Sequence, residues 1–335
     1  MVKPAALNKA QQVFGDLGIR LSTEGRPYLG GAIGCTDFIS SFVQQKVTKW
    51  VDEIMNLSRI ATSQPHAAYS AFTHGVSQKW TYLSRVVPGI SDQLQPVEDA
   101  IRHHLLPALT GRSSFNDNER ALLSLPPRLG GLGIGNAVAN AVSVFEASTK
   151  VSGPLCALVA LQTAAVGSVA SRQRQAKAEV HRDQRSQALL QQTALLARLP
   201  PTTRRAVELA SEQGASTWLT SLPLASLGFH LNKAEFRDGL CLRYNWRLPY
   251  LPSHCVCGQL MNVEHALSCS VGGLPSQRHN HLRDLTATLL TEVASNVGVE
   301  ALLMPLTGES LRYRSANTED RARVDIEAHG FRGSH

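Results

Sequence analysis

The sequence predicts a mainly α-helical protein, in which a helical-bundle region with short strands precedes a small cysteine- and histidine-rich knuckle and a short mixed segment. Two observations carry this prediction. Apolar residues recur at helical spacing in several long segments. Three of the six cysteines then fall within residues 253–280. A chain of 335 residues is long enough for a sizeable core and for two or three domains.

The first Gly/Pro-rich stretch predicts a hairpin. Within residues 14–33, the letters GRP at 25–27 and GG at 30–31 interrupt short extended runs. A phosphate-binding loop is the functional alternative, but it needs Gly-Lys followed by Ser or Thr, and no such sequence follows. We therefore interpret this stretch as a turn.

Three amphipathic helices are predicted next, over residues 37–56, 66–87 and 96–109. Aromatic residues lie on their apolar faces, among them Trp50, Tyr69, Phe72 and Trp80. At this spacing we interpret them as core residues rather than as platforms for stacking bases. Helices with such faces pack into a bundle.

A second Gly/Pro-rich turn, LPPRLGGLGIG at 125–135, ends the bundle region. Residues 136–192 are rich in alanine and predict further helix. Within residues 171–205 there are eight basic and two acidic residues, a net charge of +6 that nearly equals the +7 of the whole chain. Five of them are the predicted phosphate contacts: Arg172, Arg174, Lys177, Arg182 and Arg185. The alternative is a solvated helix face.

The overall charge favours an acidic partner, with nucleic acid first and an anionic membrane surface second. A hydrophobic content of 43% and a charged content of 18% exclude a disordered chain. The amino terminus lacks the apolar core of a secretory signal. No run approaches the ~18–20 apolar residues needed to span a bilayer. We therefore expect an intracellular protein, nuclear or cytoplasmic, with reduced cysteines and no membrane partner.

The knuckle is the most specific local pattern. Cys255 and Cys257 form a Cys-x-Cys pair, and His265 and Cys269 follow on a predicted helical turn, four residues apart. Thiolate sulfur and imidazole nitrogen are the ligands that a tetrahedral zinc ion prefers, and Cys₃His is a known structural set. Because four protein ligands leave no open position, we expect a structural zinc site.

Two alternatives to this ligand set stay open. The cysteines can be buried thiols beside a surface histidine, because cysteine is among the most buried residue types. His254 and Cys241 are nearby substitutes if one ligand is misassigned. A reducing compartment favours a metal over a disulfide for this cluster.

After the knuckle, residues 282–297 predict a helix with an inward face. That face comprises Leu282, Leu285, Leu289, Leu290, Val293 and Val297. Arg278, His279 and Arg283 lie at its entrance, where they either contact a nucleic-acid backbone or form part of the helix surface. Residues 323–326 predict the start of a strand.

Several of these segments together resemble one family. YLGGAIG at 28–34, the helices that follow and LPPRLGGLGI at 125–134 resemble the segment after the polymerase active site in reverse transcriptases of non-LTR retrotransposons. Residues 218–269 resemble the linker and zinc knuckle of those proteins, and residues 278–293 and 322–326 the opening of their restriction-like endonuclease.

The resemblance implies four segments. Residues 1–135 would be the end of the palm and a thumb-like helical region, and residues 136–250 a basic helical linker. Residues 251–275 would be the zinc knuckle, and residues 276–335 an incomplete, partly α/β restriction-like endonuclease segment.

The same resemblance implies that both catalytic centres are missing. The family polymerase holds its metal ions on a Tyr-x-Asp-Asp turn, and this sequence contains none. The family nuclease needs an Asp, then a second acid and a Lys. Asp325 matches the first position, but no Asp/Glu-x-Lys follows. We therefore expect a truncated protein that binds RNA or DNA without being an enzyme.

Two other functions remain as alternatives. The first is an endonuclease completed by a partner, with Asp325 and Glu327 as metal ligands. The second is a zinc-stabilised protein-interaction module that does not bind nucleic acid. Salt dependence distinguishes the second from nucleic-acid binding, because phosphate contacts weaken steeply with salt.

Overall fold

The computed structural model describes residues 1–161, 166–271, 274–302 and 323–331. The chain divides into two units, Met1–Trp246 and Arg247–His335. The prediction of a mainly α fold with short strands is confirmed, because two small antiparallel sheets accompany the helices. None of the described helices has an apolar stretch long enough to traverse a lipid bilayer. The division into four segments stays a prediction.

The first unit is helical apart from one hairpin. The helices of its amino-terminal part are α1 (Leu7–Phe14), α2 (Thr36–Ala61), α3 (Pro65–Ala71), α4 (Ser77–Val86), α5 (Gln95–Ala100), α6 (Leu106–Thr110) and α7 (Asp117–Ser124). Those that follow are α8 (Ala137–Leu161), α9 (Val166–Leu196), α10 (Pro201–Ala210), α11 (Thr217–Thr220) and α12 (Lys233–Tyr244). The predicted helices 66–87 and 96–109 are confirmed, and each contains a π turn, at Phe72–Val76 and Ile101–Leu105.

The predicted hairpin is formed by β1 (Gly25–Tyr28) and β2 (Gly31–Gly34), which pair antiparallel. Leu29 and Gly30 make the two-residue turn, with φ of 45° and 82°. Positive φ at both positions is the geometry that matches the twist of hairpin strands. The hydroxyl of Tyr82 in α4 donates to the Leu29 carbonyl, so the hairpin tip is fixed on this helix.

The core of the first unit is built from the predicted apolar faces. Trp50, Tyr69, Phe72 and Trp80 are buried, and the rings of Trp50 and Trp80 meet edge to face at 6.1 Å. The interpretation of these aromatic residues as core is therefore confirmed. Such pairs add to the stabilisation that burial of apolar area gives.

The Gly/Pro-rich loop at 125–135 packs so tightly that one position requires glycine. A Cβ atom at Gly131 would lie 1.9 Å from the Leu125 carbonyl oxygen. The buried Arg243 of α12 also holds this loop, donating to the carbonyls of Pro127 at 2.7 Å and Gly131 at 3.0 Å. The loop is therefore a packed connection between α7 and α8.

His66 in α3 gives the first unit a pH-dependent stability. Its ring is buried, stacks on Phe236 and accepts a hydrogen bond at Nδ1 from the Leu231 N–H at 3.0 Å. Burial, followed by repulsion from His230, lowers the pKa of His66 from 6.5, while a backbone hydrogen bond at Trp218 acts in the opposite direction. Below pH 6.5 the His66 side chain binds a proton in the unfolded chain but stays neutral in the folded protein until the pH reaches the lowered pKa.

We expect stability to be fully present above pH 6.5 and to fall as the pH drops below it towards the folded pKa. His66→Asn keeps an acceptor near the Nδ1 position but cannot titrate. Urea unfolding at several pH values should show the parent losing up to about 1.4 kcal/mol more per pH unit than the variant. Parallel profiles for the two proteins would contradict the role of His66.

The second unit contains two helices and one sheet. The helices are α13 (Val263–Ser268) and α14 (Leu274–Leu290), and the strands are β3 (Ala294–Val299) and β4 (Ile326–Phe331). The two strands pair antiparallel, with Asn296 opposite His329. Part of the proposed endonuclease segment, residues 303–322 and 332–335, lies outside the described residues.

The predicted helix 282–297 is wrong in two respects. Its last residues form β3, because VASNVGV at 293–299 is rich in β-branched valine and contains Asn and Gly, which are poor helix formers. Its expected inward face is also wrong, since Leu282, Leu285 and Leu289 are more than half exposed, at 59%, 57% and 55%. In α14 the buried residue is Ala287 instead.

Candidate metal centre and basic surface

The Cys-x-Cys pair lies on a tight turn in the second unit. The Cys255 N–H donates to the Gln259 carbonyl at 2.9 Å, and the Gly258 N–H donates to the Cys255 carbonyl at 2.8 Å. Gly258 has a φ of 83°, which is strained for any residue with a Cβ. This turn directs Cys255 and Cys257 towards the same point.

Of the other two ligand candidates, His265 lies on α13 and Cys269 is the residue that directly follows this helix. Asn262 caps this helix, because its side chain accepts a hydrogen bond from the His265 N–H at 2.7 Å. One turn later the Cys269 N–H donates to the His265 carbonyl at 2.8 Å. The cap and this hydrogen bond therefore fix the two candidates one helical turn apart.

All four ligand atoms lie within 4.8 Å of one another. Cys255 Sγ lies 3.7 Å from Cys269 Sγ, and Cys257 Sγ lies 3.2 Å from His265 Nε2. In a tetrahedral zinc site with Zn–S of ~2.3 Å, two sulfurs are about 3.8 Å apart, and a sulfur and a nitrogen about 3.6 Å. The group could therefore bind a metal ion, and its dimensions are compatible with zinc.

The pKa of the Cys257 thiol is raised in this group of side chains. A hydrogen bond from the Gln259 N–H lowers its pKa, but partial desolvation and the neighbouring thiols of Cys255 and Cys269 raise it, and the net shift is upward. Thiols this close therefore resist ionising together when no cation lies between them. A bound divalent cation reverses this balance and favours the thiolates.

The two substitute ligands, Cys241 and His254, lie outside this group of four side chains. Cys241 is buried in α12 of the first unit, where burial raises the pKa of its thiol. His254 is exposed on the knuckle turn, and its Nδ1 contacts the Ser253 hydroxyl at 3.2 Å. Among the described residues, neither belongs to a group of three or more side chains that could hold a metal.

The five phosphate contacts predicted within residues 171–205 all lie on α9. Arg172, Arg174, Lys177, Arg182 and Arg185 are exposed. The two acids of this stretch are turned towards α8, where Lys150 lies 3.3 Å from Glu179 and 3.4 Å from Asp183. The hydrogen bond to Glu179 is the main cause that raises the pKa of Lys150.

Four residues of α9 form what we name the basic stripe: Arg174, Lys177, His181 and Arg185. They follow one another at spacings of three, four and four residues, which places them on one side of a helix with 3.6 residues per turn. All four are exposed. The stripe is therefore a continuous basic edge about 16 Å long.

The remaining two predicted contacts lie off this edge. From the same periodicity, Arg172 lies on the opposite side of α9 and Arg182 about a quarter turn from the stripe. The predicted contacts did not include His181 of the stripe or Arg85 of α4, which lines the same groove as Lys177 and His181. The i, i+3, i+7 and i+11 spacing identifies His181, whereas Arg85 has no signal in the sequence.

In the second unit the predicted backbone contacts face carboxylates. His279 Nε2 lies 3.3 Å from Asp325, and Arg283 pairs with Asp284 and Glu300. The hydrogen bond that Arg283 donates to Asp284 is the main cause that raises the pKa of Arg283. Arg278 is exposed at the start of α14. Glu327, the other acid of the nuclease alternative, pairs with His329.

No family model matches this chain, and comparisons with curated proteins and with solved structures find no match.

Proposed function

We propose that this protein binds RNA or DNA through the basic stripe of α9 and carries a structural zinc ion in the second unit. The resemblance of the sequence to reverse transcriptases of non-LTR retrotransposons supports the same proposal. The single observation that carries it is the exposed stripe from Arg174 to Arg185, whose neighbouring acids are held by Lys150.

Zinc is the proposed ion at Cys255, Cys257, His265 and Cys269. Three thiolates and one imidazole form a soft, four-coordinate set, which suits zinc rather than magnesium or calcium. With four protein ligands no position remains for water or substrate. The role of the ion is therefore to hold the knuckle turn against α13.

Nucleic-acid binding follows from charge and shape. A helix edge with several exposed cations can follow a phosphate backbone, and each phosphate that is neutralised releases counterions. The contacts are to the backbone, so we expect little sequence preference. Residues 254–276 contribute no lysine or arginine, so the knuckle adds little to this electrostatic attraction.

The proposal assigns no polymerase or nuclease reaction to the chain. Its sequence contains no Tyr-x-Asp-Asp turn and no Asp/Glu-x-Lys after Asp325. Asp325 faces His279, and among the described residues it belongs to no group of three side chains that could hold a metal.

The stripe is tested by two charge-matched double variants of the full chain. Arg174→Ala/Lys177→Ala removes two charges from the stripe, and Arg172→Ala/Arg182→Ala removes two from elsewhere on the same helix. We expect the first to weaken binding to unrelated RNA and DNA sequences about equally. The slope of log affinity against log salt should then become shallower, its magnitude decreasing by about 1.4–1.8. The second variant should change the slope by less.

Fluorescence anisotropy with a structured RNA and a duplex DNA at several salt concentrations measures both quantities. Equal losses in the two variants would show that the total charge of α9 matters and that the stripe does not. Unchanged binding and slope in both variants would contradict nucleic-acid binding by α9. The zinc-stabilised interaction module would then be the better function.

A further inference from the structure

A groove of about 500 Å³ lies between α4, α8 and α9 in the first unit. Its wall is mainly apolar, formed by Val144, Ala147 and Val151 of α8 and by Val180 of α9, and Ser148 and Ser152 of α8 also line it. Val180 is buried and the three apolar α8 residues are half-buried. The volume falls within the range of ~300–1,000 Å³ found for small-ligand pockets.

The rim of this groove is basic. Arg85 of α4 and Lys177 and His181 of α9 line it, and all three are exposed. None of them takes part in the ion pairs that the described residues form. Lys177 and His181 belong to the basic stripe, so a nucleic acid on the stripe passes the mouth of the groove.

Resting on the proposed function, we infer that the groove receives one unpaired nucleotide of the nucleic acid bound along the basic stripe. The face of a base is apolar and gains free energy when it leaves water for an apolar wall. Its phosphate then stays at the rim, where Arg85 and Lys177 provide opposite charge. The side-chain amides of Gln173 and Gln184 also line the groove and can hydrogen-bond the edge of the base.

This arrangement requires a base that is not stacked within a helix. A fully paired duplex would have to unstack a base, at a cost of a few kcal/mol. A bulge or a single strand has already lost that stacking. The protein should therefore bind single-stranded or bulged nucleic acid more tightly than a perfect duplex of the same length.

The test compares three oligonucleotides: a single strand, a perfect duplex, and the same duplex with one unpaired adenine. By fluorescence anisotropy we expect the parent to bind the bulged duplex at least about fivefold more tightly than the perfect one, as a base contact of about 1 kcal/mol or more implies. Ala147→Phe fills the groove and should remove this preference. Affinity for the perfect duplex and its salt slope should not change.

Ala157→Phe is the matched control, because it makes the same substitution at an exposed position of α8 that does not line the groove. Arg85→Gln is a second variant on the exposed rim, where folding is not at risk. It should weaken binding to the bulged duplex more than to the perfect duplex.

The outcomes separate this inference from the proposed function. If the parent binds bulged and perfect duplexes equally, or if Ala147→Phe and Arg85→Gln both keep the preference, the groove does not hold a base. Binding by the stripe would still stand in that case. If the parent binds none of the three oligonucleotides, both proposals fall.

Discussion

Cys257→Ala and Cys269→Ala are each expected to lose the bound zinc and the fold of the knuckle. Each removes one of four ligands that lie within 4.8 Å of one another. The apparent binding free energy of structural zinc is of order 10–16 kcal/mol in zinc-finger peptides, and much of it is folding free energy. Metal analysis of the purified full chain should give one zinc per chain for the parent and close to none for either variant.

Two other cysteines provide matched controls. Cys35 and Cys156 are exposed in the first unit, and their change to alanine should leave the zinc content unchanged. Chelation of the parent should have the same effect as loss of a ligand, measured as faster amide hydrogen exchange over residues 253–270. A parent that holds no zinc after purification under reducing conditions without chelator would contradict the site.

Acid should also release the zinc from the parent. Thiolate and neutral imidazole are the forms that bind the ion, so protons compete with it. The raised pKa of the Cys257 thiol strengthens this competition. We expect zinc affinity to fall continuously as the pH is lowered, as measured by release to a colorimetric zinc indicator.

The elements that the sequence predicted well depend on residues close together in the chain. The hairpin at 25–34 follows from Gly30 and its neighbours, and the bundle helices follow from apolar periodicity. The metal group is predictable for the same reason, because Cys255 and Cys269 are only fourteen residues apart. A turn and one helical turn are enough to bring its four side chains together.

The features that the sequence did not predict depend on distant partners. The end of the predicted helix 282–297 forms a strand because residues 326–331 pair with it. Arg85 reaches the groove beside Lys177 only through the packing of α4 against α8, which in turn packs against α9. The composition of residues 293–299 favours a strand but does not identify residues 326–331 as its partner, and the pattern around Arg85 gives no signal of the groove.

The buried pair of Glu98 in α5 and Arg120 in α7 is another such feature. Arg120 Nε and Nη2 donate to the two Glu98 oxygens at 2.6 and 2.9 Å, and both side chains are less than one-tenth exposed. Arg120 also donates to the carbonyls of Ile134 and Gly135, and Glu98 accepts the Ala137 N–H. The pair therefore joins two helices, the Gly/Pro-rich loop and the start of α8.

Arg120→Ala is expected to cost about 3–5 kcal/mol of the free energy of unfolding, because it leaves the Glu98 carboxylate buried without its partner. Asp117→Asn is the control on the same helix. Asp117 pairs with Arg102 but its side chain is 91% exposed, so its loss should cost at most about 1 kcal/mol. Urea unfolding of the zinc-loaded protein measures both values.

A double variant separates the lost charge from the lost packing. Glu98→Leu/Arg120→Met replaces the ion pair by apolar side chains, so no uncompensated charge remains. It should recover much of the stability that Arg120→Ala loses, and the remainder reports the Ile134 and Gly135 carbonyls that lose their donor and the Ala137 N–H that loses its acceptor. If Arg120→Ala costs no more than Asp117→Asn, the pair does not hold this junction. If instead the double variant is less stable than Arg120→Ala, the uncompensated charge of Glu98 is not the main cost of that change.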